Sequence, residues 1–230
     1  MGRSPVAITR NSWWEAAPRE HASDKRSEPA RLVHVRARVS VVQLLYKYPV
    51  ADERYVTQRA WEGAILNRCP FHPEGGCGLE KLGTYPRVEP EGMRVARWWC
   101  PKKRASISLL PSFLAARLSG TLAAVEDVVA LVEAKGVAAA VDEVHPPDAD
   151  DFVGLACALK SIRRRVSAVR AALLAIATLL PERFAGVLPT LAAFREALGV
   201  PRVLALLRDI AERHLGALPV PLGFGTRAAA

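Results

Sequence analysis

Three cysteines and a histidine within 32 residues constrain this chain more than any other feature: Cys69-Pro-Phe-His72-Pro-Glu-Gly-Gly-Cys77-Gly, then Cys100-Pro-Lys-Lys103. A structural metal site needs four soft or borderline ligands converging tetrahedrally, usually from two short turns. In Cys69-x-x-His72 the two intervening residues let both side chains aim at one ion. Cys77 lies between Gly76 and Gly78, which allow the backbone to fold back tightly. Between Cys77 and Cys100 the pattern predicts a hairpin. Thr84, Tyr85 and Val88 form one arm, Arg94 to Trp99 form the other, and Pro90-Glu-Gly92 supplies the turn. The hairpin returns Cys100 to the first turn, and Ser106 to Leu109 supplies a third strand. The expected group is one structural zinc ion on Cys69, His72, Cys77 and Cys100, since so small a sheet has little core of its own. The open alternative is that the three cysteines are small core residues of a metal-free ribbon. A disulfide is the weaker expectation in a chain showing no sign of export.

The remaining sequence divides around this unit. Residues 1–30 read as a flexible arm, polar and rich in helix breakers apart from Trp13-Trp14. Residues 31–66 form a lead-in. Its first half alternates at Val33, Val35, Ala37, Val39 and Val41 and then becomes continuously apolar, a pattern open to strand or helix, while Tyr55–Leu66 predicts helix. Residues 67–110 are the ribbon-like unit. From Pro111 to residue 230 every segment reads as helix. Leu122–Ala134 follows Thr121 as cap, and Val137–Val144 follows Gly136. His145-Pro-Pro147 and Asp148, Asp150 and Asp151 make a break. A long helix then runs from Phe152 to about Leu180 and stops at Pro181. Thr190–Leu198 and Pro201–Leu215 complete the chain, with Gly199 and Gly216 as stops. The fold class expected is α+β and mainly α: a small zinc-ribbon-like β unit followed by a helical bundle with one long helix.

Phe152, Leu155, Leu159, Ile162, Val166, Val169, Leu173, Ile176 and Leu180 alternate spacings of three and four, a heptad seam over four repeats. Such a seam buries either within the chain, against Leu191–Leu198 and Val203–Leu215, or against a partner protein or second copy. The first is preferred, because the two later helices also need somewhere to bury their apolar faces. Beside the seam, about 100° per residue puts Lys160, Arg163, Arg164 and Arg170 on one side, with Arg165 on the other. Cys157, mid-helix, is expected to be a packing residue.

Charge runs in blocks. Residues 1–110 carry 19 basic and 11 acidic residues, residues 111–150 carry 2 and 7, and residues 151–230 carry 11 and 5, within an overall +9. The excess suits a polyanionic partner, here double-stranded DNA. The apolar stretch Ala171 to Pro181, broken only by Thr178, is far short of the roughly 20 residues that span a bilayer, and no secretory h-region opens the sequence. The expected setting is cytoplasmic, with no membrane partner. Acidic residues Glu126, Asp127, Glu133, Asp142 and Glu143 argue against a groove-binding role for Val137–Val144, since phosphate repels carboxylate.

The run Cys69-Pro…Gly83-Thr-Tyr-Pro-Arg87…Arg97-Trp-Trp-Cys100-Pro…Ser106-Ile-Ser-Leu-Leu-Pro111-Ser-Phe-Leu114 resembles the N-terminal zinc ribbon of bacterial insertion-sequence transposases. In that family the ribbon precedes a helix-turn-helix. The likeness covers residues 67 to about 118, with a looser continuation to about 170. Lys103 stands at the family's usual second-knuckle cysteine, and Leu82 where a histidine often precedes glycine, so a metal here requires Cys77 as fourth ligand. The resemblance implies zinc, a helix-turn-helix centred on Lys135–Val137, and DNA recognition. The family's acidic catalytic triad sits on a mixed α/β core that the predicted helices after residue 111 do not provide. The function expected is therefore non-catalytic DNA binding through Lys160, Arg163, Arg164, Arg165 and Arg170, with Arg97, Lys102, Lys103 and Arg104 beside the ribbon. The alternative is a protein-interaction module, or a subunit of a mobile-element complex, with the ribbon as structural staple.

Overall fold

Alternating burial along Arg94–Cys100 and complete burial along Ala105–Pro111 mark two neighbouring inner strands of one sheet, the first covered on one face and the second on both. The computed structural model describes residues 40–48, 52–144 and 152–224. The expected N-terminal arm with Trp13-Trp14, the alternating residues before Ser40, and the His145–Asp151 break lie outside them.

The described elements are β1 (Ser40–Tyr46), α1 (Asp52–Thr57), β2 (Glu80–Pro86), β3 (Arg94–Cys100), β4 (Ala105–Pro111), α2 (Leu122–Val144), α3 (Phe152–Leu179), α4 (Pro181–Phe184), α5 (Leu191–Leu198) and α6 (Leu204–Ile210), closed by a 3-10 turn at Glu212–His214. The fold is α+β and mainly α, with one long helix.

The expected hairpin is present. Tyr85 pairs with Val95, and the amide of Met93 donates to the carbonyl of Pro90 across the turn. Val88 lies beyond the end of β2 and is exposed. The third strand pairs as expected, with Trp98 opposite Ile107. The sheet also has a fourth member: β1 lies parallel to β4, giving the order β1-β4-β3-β2. The segment open to strand or helix is thus a strand from Ser40. Leu44 and Tyr46 pack on the sheet's core, whereas Leu45 packs on the helical core.

Two expectations before the ribbon and after it are corrected. The helix expected over Tyr55–Leu66 is only Asp52–Thr57, because Arg59 takes a left-handed conformation (φ 50°) and the chain turns back. This brings Trp61 to 5.8 Å from Tyr55, whose ring also meets Tyr48 and Phe113 edge-on. After Pro111 the chain is not helical at once. Residues 112–121 form turns closed by a bridge between Leu114 and Thr121.

Thr121 caps α2 through Ala124 N–H at 3.0 Å. The turn expected at Lys135–Val137 is a kink at the single residue Gly136 (φ 84°, ψ 169°), a backbone conformation open mainly to glycine, and helix resumes on both sides of it. The seam of α3 is buried within the chain at Ile162, Val166, Val169, Leu173 and Ile176. Its cover is chiefly α2, not α5 and α6, which pack on α2 instead. The reason lies in two acids of α2. Glu126, 1% exposed, accepts hydrogen bonds from the Val203 and Leu204 amides and an ion pair from Arg195. Glu133 accepts from the Leu191 and Ala192 amides. Seven residues apart on one face, they hold the N-termini of α6 and α5 against α2, satisfying orphan amides and the helix dipoles. Accordingly α6 starts at Leu204 rather than Pro201. Helix α5 starts one residue later than expected, with Thr190 as its cap rather than its first residue, and keeps the expected Gly199 stop.

Among the described residues no helix is long and apolar enough to cross a membrane.

Candidate metal centre

The turn Cys69–His72 closes by a hydrogen bond from the His72 amide to the Cys69 carbonyl (3.2 Å). Gly76 (φ 69°) and Gly78 (φ 67°) take left-handed conformations on either side of Cys77, the tight reversal that its flanking glycines predict. Strand β3 then delivers Cys100 at its end. The ligand atoms of Cys69, His72, Cys77 and Cys100 all lie within 4.8 Å of one another, close enough for one metal ion. His72 Nδ1 is 3.6 Å from Cys69 Sγ and 3.4 Å from Cys100 Sγ. All three cysteines are free thiols and buried, so the disulfide alternative is not realised.

Burial acts to push the Cys69 thiol up, but His72, the Phe71 backbone, Cys100 and Cys77 outweigh it and hold the group at about 7. Burial and the neighbouring thiols Cys69 and Cys100 push Cys77 up. One sulfur is thus poised to ionise first, and a cation is what a second and third thiolate would need in so small a space.

Lys103 meets the centre through its backbone: its amide donates to Cys100 Sγ at 3.4 Å. Its ammonium lies 6.0 Å from the Phe71 ring. Lys102, Lys103 and Arg104 are exposed on this turn, and Arg104 completes it in a left-handed conformation (φ 53°). Arg97 differs from them. It is half-buried, donates twice to Ser106 Oγ and stacks on Tyr85.

On α3, Lys160, Arg163, Arg164 and Arg170 are exposed. Lys160 and Arg164 line a cleft together with Arg165, expected on the other flank, while Arg163 and Arg170 lie outside it. Arg164 donates to the Arg117 carbonyl, and Arg165, 15% exposed, pairs with Glu89 at 3.5 Å. Cys157 is exposed and lines the same cleft, contrary to the packing role expected of it.

One site-like residue had no signal in the sequence. Arg208 is fully buried and donates to the carbonyls of Ser112 (2.7 Å), Leu114 (2.7 Å), Leu222 (2.9 Å) and Pro221. It ties the C-terminal turn to the segment leaving β4. Burial pushes its guanidinium down to about 10, so it stays charged at neutral pH.

Fold and site together define an α+β chain with a candidate three-cysteine, one-histidine metal centre at one end of a four-stranded mixed sheet. Comparisons with protein-family models, with curated proteins and with solved structures each return no match to this chain.

Proposed function

We propose that this chain is a DNA-binding protein whose ribbon is held closed by one zinc ion and whose exposed cations contact phosphates. Zinc suits the donor set: three thiolates and one imidazole are its common structural ligands. Zn–S of ~2.3 Å and Zn–N of ~2.0 Å in a tetrahedron require a sulfur–nitrogen edge of about 3.5 Å. Two of the three such edges, His72 to Cys69 at 3.6 Å and His72 to Cys100 at 3.4 Å, match that requirement.

The observation that carries the DNA reading is the separation of charge. Glu126, Asp127, Glu133 and Glu143 are each engaged within the chain, by Arg195, Arg202, the α5 amides and Lys135. Lys160, Arg163 and Arg170, and Lys102 and Arg104 on the metal turn, are exposed and have no carboxylate partner among the described residues. These four acids of α2 thus hold the helices together; other exposed acids, such as Glu74, Glu91 and Glu196, lie elsewhere, and the cations of α3 and of the metal turn are left to face a polyanion. This arrangement fits the resemblance to a transposase recognition region, without a nuclease.

The test is the salt dependence of duplex DNA binding. Log affinity should fall with log salt by about 0.9 per phosphate neutralised, and replacing Arg163, Arg164 and Arg170 with alanine should make the slope roughly 2 to 3 units shallower. Replacing Lys102, Lys103 and Arg104 is the second arm. A parent protein that duplex DNA does not retain at low salt overturns the reading in favour of a partner-protein module.

A further inference from the structure

The turn after β4 and the middle of α3 enclose a cleft of about 300 Å³ lined by Leu118, Ser119, Cys157, Lys160, Ser161, Arg164 and Arg165. Helical spacing explains the α3 side: residues 157, 160, 161 and 164 fall on one face, three or four apart. The opposite wall is held in place from behind. Arg87 donates to the carbonyls of Ala115 and Leu118, Arg164 donates to that of Arg117, and Ala115 N–H bonds to the Gly120 carbonyl. These bonds fix the wall and leave the Ser119 side chain facing the cleft.

We propose that this cleft seats a phosphate group, and, resting on the DNA reading above, that the group is a backbone phosphate of bound DNA. Three cations line the cleft, Lys160, Arg164 and Arg165, and one carboxylate, Glu89, pairs with Arg165, leaving a formal +2. A planar guanidinium, a compact ammonium and two serine hydroxyls offer donors from several directions. A phosphate with its tetrahedral set of acceptor oxygens uses such donors more fully than a planar carboxylate does. The side chains of Ser119, Lys160 and Ser161 make no hydrogen bond or ion pair among the described residues, so their donors are available to a ligand. Leu118 adds an apolar surface for the sugar that accompanies a backbone phosphate.

Cys157 supplies the reporter, because it is an exposed thiol in the cleft while the other three cysteines are buried. Full-length, metal-loaded protein is alkylated with iodoacetamide, and modification of Cys157 is followed by mass spectrometry. Inorganic phosphate should slow the reaction saturably, by about tenfold at ten times its half-effect concentration as mass action requires, where chloride at equal ionic strength does not. A duplex oligonucleotide should protect in the same way. Ser161→Asp, which places a carboxylate in the cleft, and Lys160→Met, which only removes a charge, should both reduce the protection, and each should make the DNA salt slope about one unit shallower. If neither phosphate nor DNA protects Cys157 while DNA is still retained, the seat is overturned and the DNA reading stands. If phosphate protects but no DNA is retained, the seat stands, its ligand is a free phosphate ester, and the DNA reading falls.

Discussion

Cys100 Sγ lies 3.4 Å from His72 Nδ1 although 28 residues separate them, and the hairpin β2–β3 is the device that closes the gap. Three thiols held with an imidazole within 4.8 Å of one another must lose their protons to bind an ion, so metal binding would be coupled to the ribbon's fold. Purified protein is expected to hold about one equivalent of zinc, and chelation should unfold residues 67–110 while the helical circular dichroism largely survives. Cys100→Ala should lose more metal than His72→Ala, since thiolate is the stronger ligand. Metal-free protein with an unchanged ribbon contradicts the prediction.

The metal-free centre should show a pH signature. Cys69 ionises at about 7, below its ordinary 9.0. A folded-state value below the unfolded one stabilises the fold fully above about pH 9, and that contribution is lost as pH falls through about 7. Urea midpoints of metal-free protein should therefore rise between pH 7 and 9, and Cys69→Ser should flatten the rise. A rise that is equally steep in the variant would place its source elsewhere.

Glu126 and Glu133 look alike in sequence and should differ in energetic weight. Glu126→Ala strands the Val203 and Leu204 amides and the Arg195 guanidinium in a buried place, and should cost about 3 kcal/mol. Glu133→Ala removes a half-buried cap of α5 and should cost about 1 kcal/mol. Equal losses in denaturant melts would mean that capping is not what holds α6 to α2.

Arg208 offers the sharpest stability test away from the metal. Arg208→Met leaves four carbonyls, of Ser112, Leu114, Pro221 and Leu222, without their donor, and should cost at least about 3 kcal/mol. Arg208→Lys keeps the charge but not the planar fork, and should recover only part of the loss. A lysine variant as stable as the parent would show that charge, not the spread of donors, is what this position requires.

Local chemistry was legible in the sequence wherever the deciding interaction lies within a few residues. The Pro90–Gly92 turn, the Thr121 cap, the break at Gly136, the stops at Pro181 and Gly199, and the convergence of Cys69, His72 and Cys77 all follow from short-range geometry. Even Cys100 needed only one hairpin. The heptad seam announced that one face of α3 would be buried, but periodicity states that a face is apolar without naming its cover. That choice fell to α2, because Glu126 and Glu133 bind the N-termini of α6 and α5 to it; the same acids, read along the sequence alone, stood only for repulsion of phosphate. The parallel pairing of β1 with β4, the four carbonyls gathered by Arg208 and the meeting of Arg164 and Arg165 in one cleft with Ser119 share this character. Each joins residues far apart in the chain whose partners become neighbours only after closure, so only the tertiary structure could decide them.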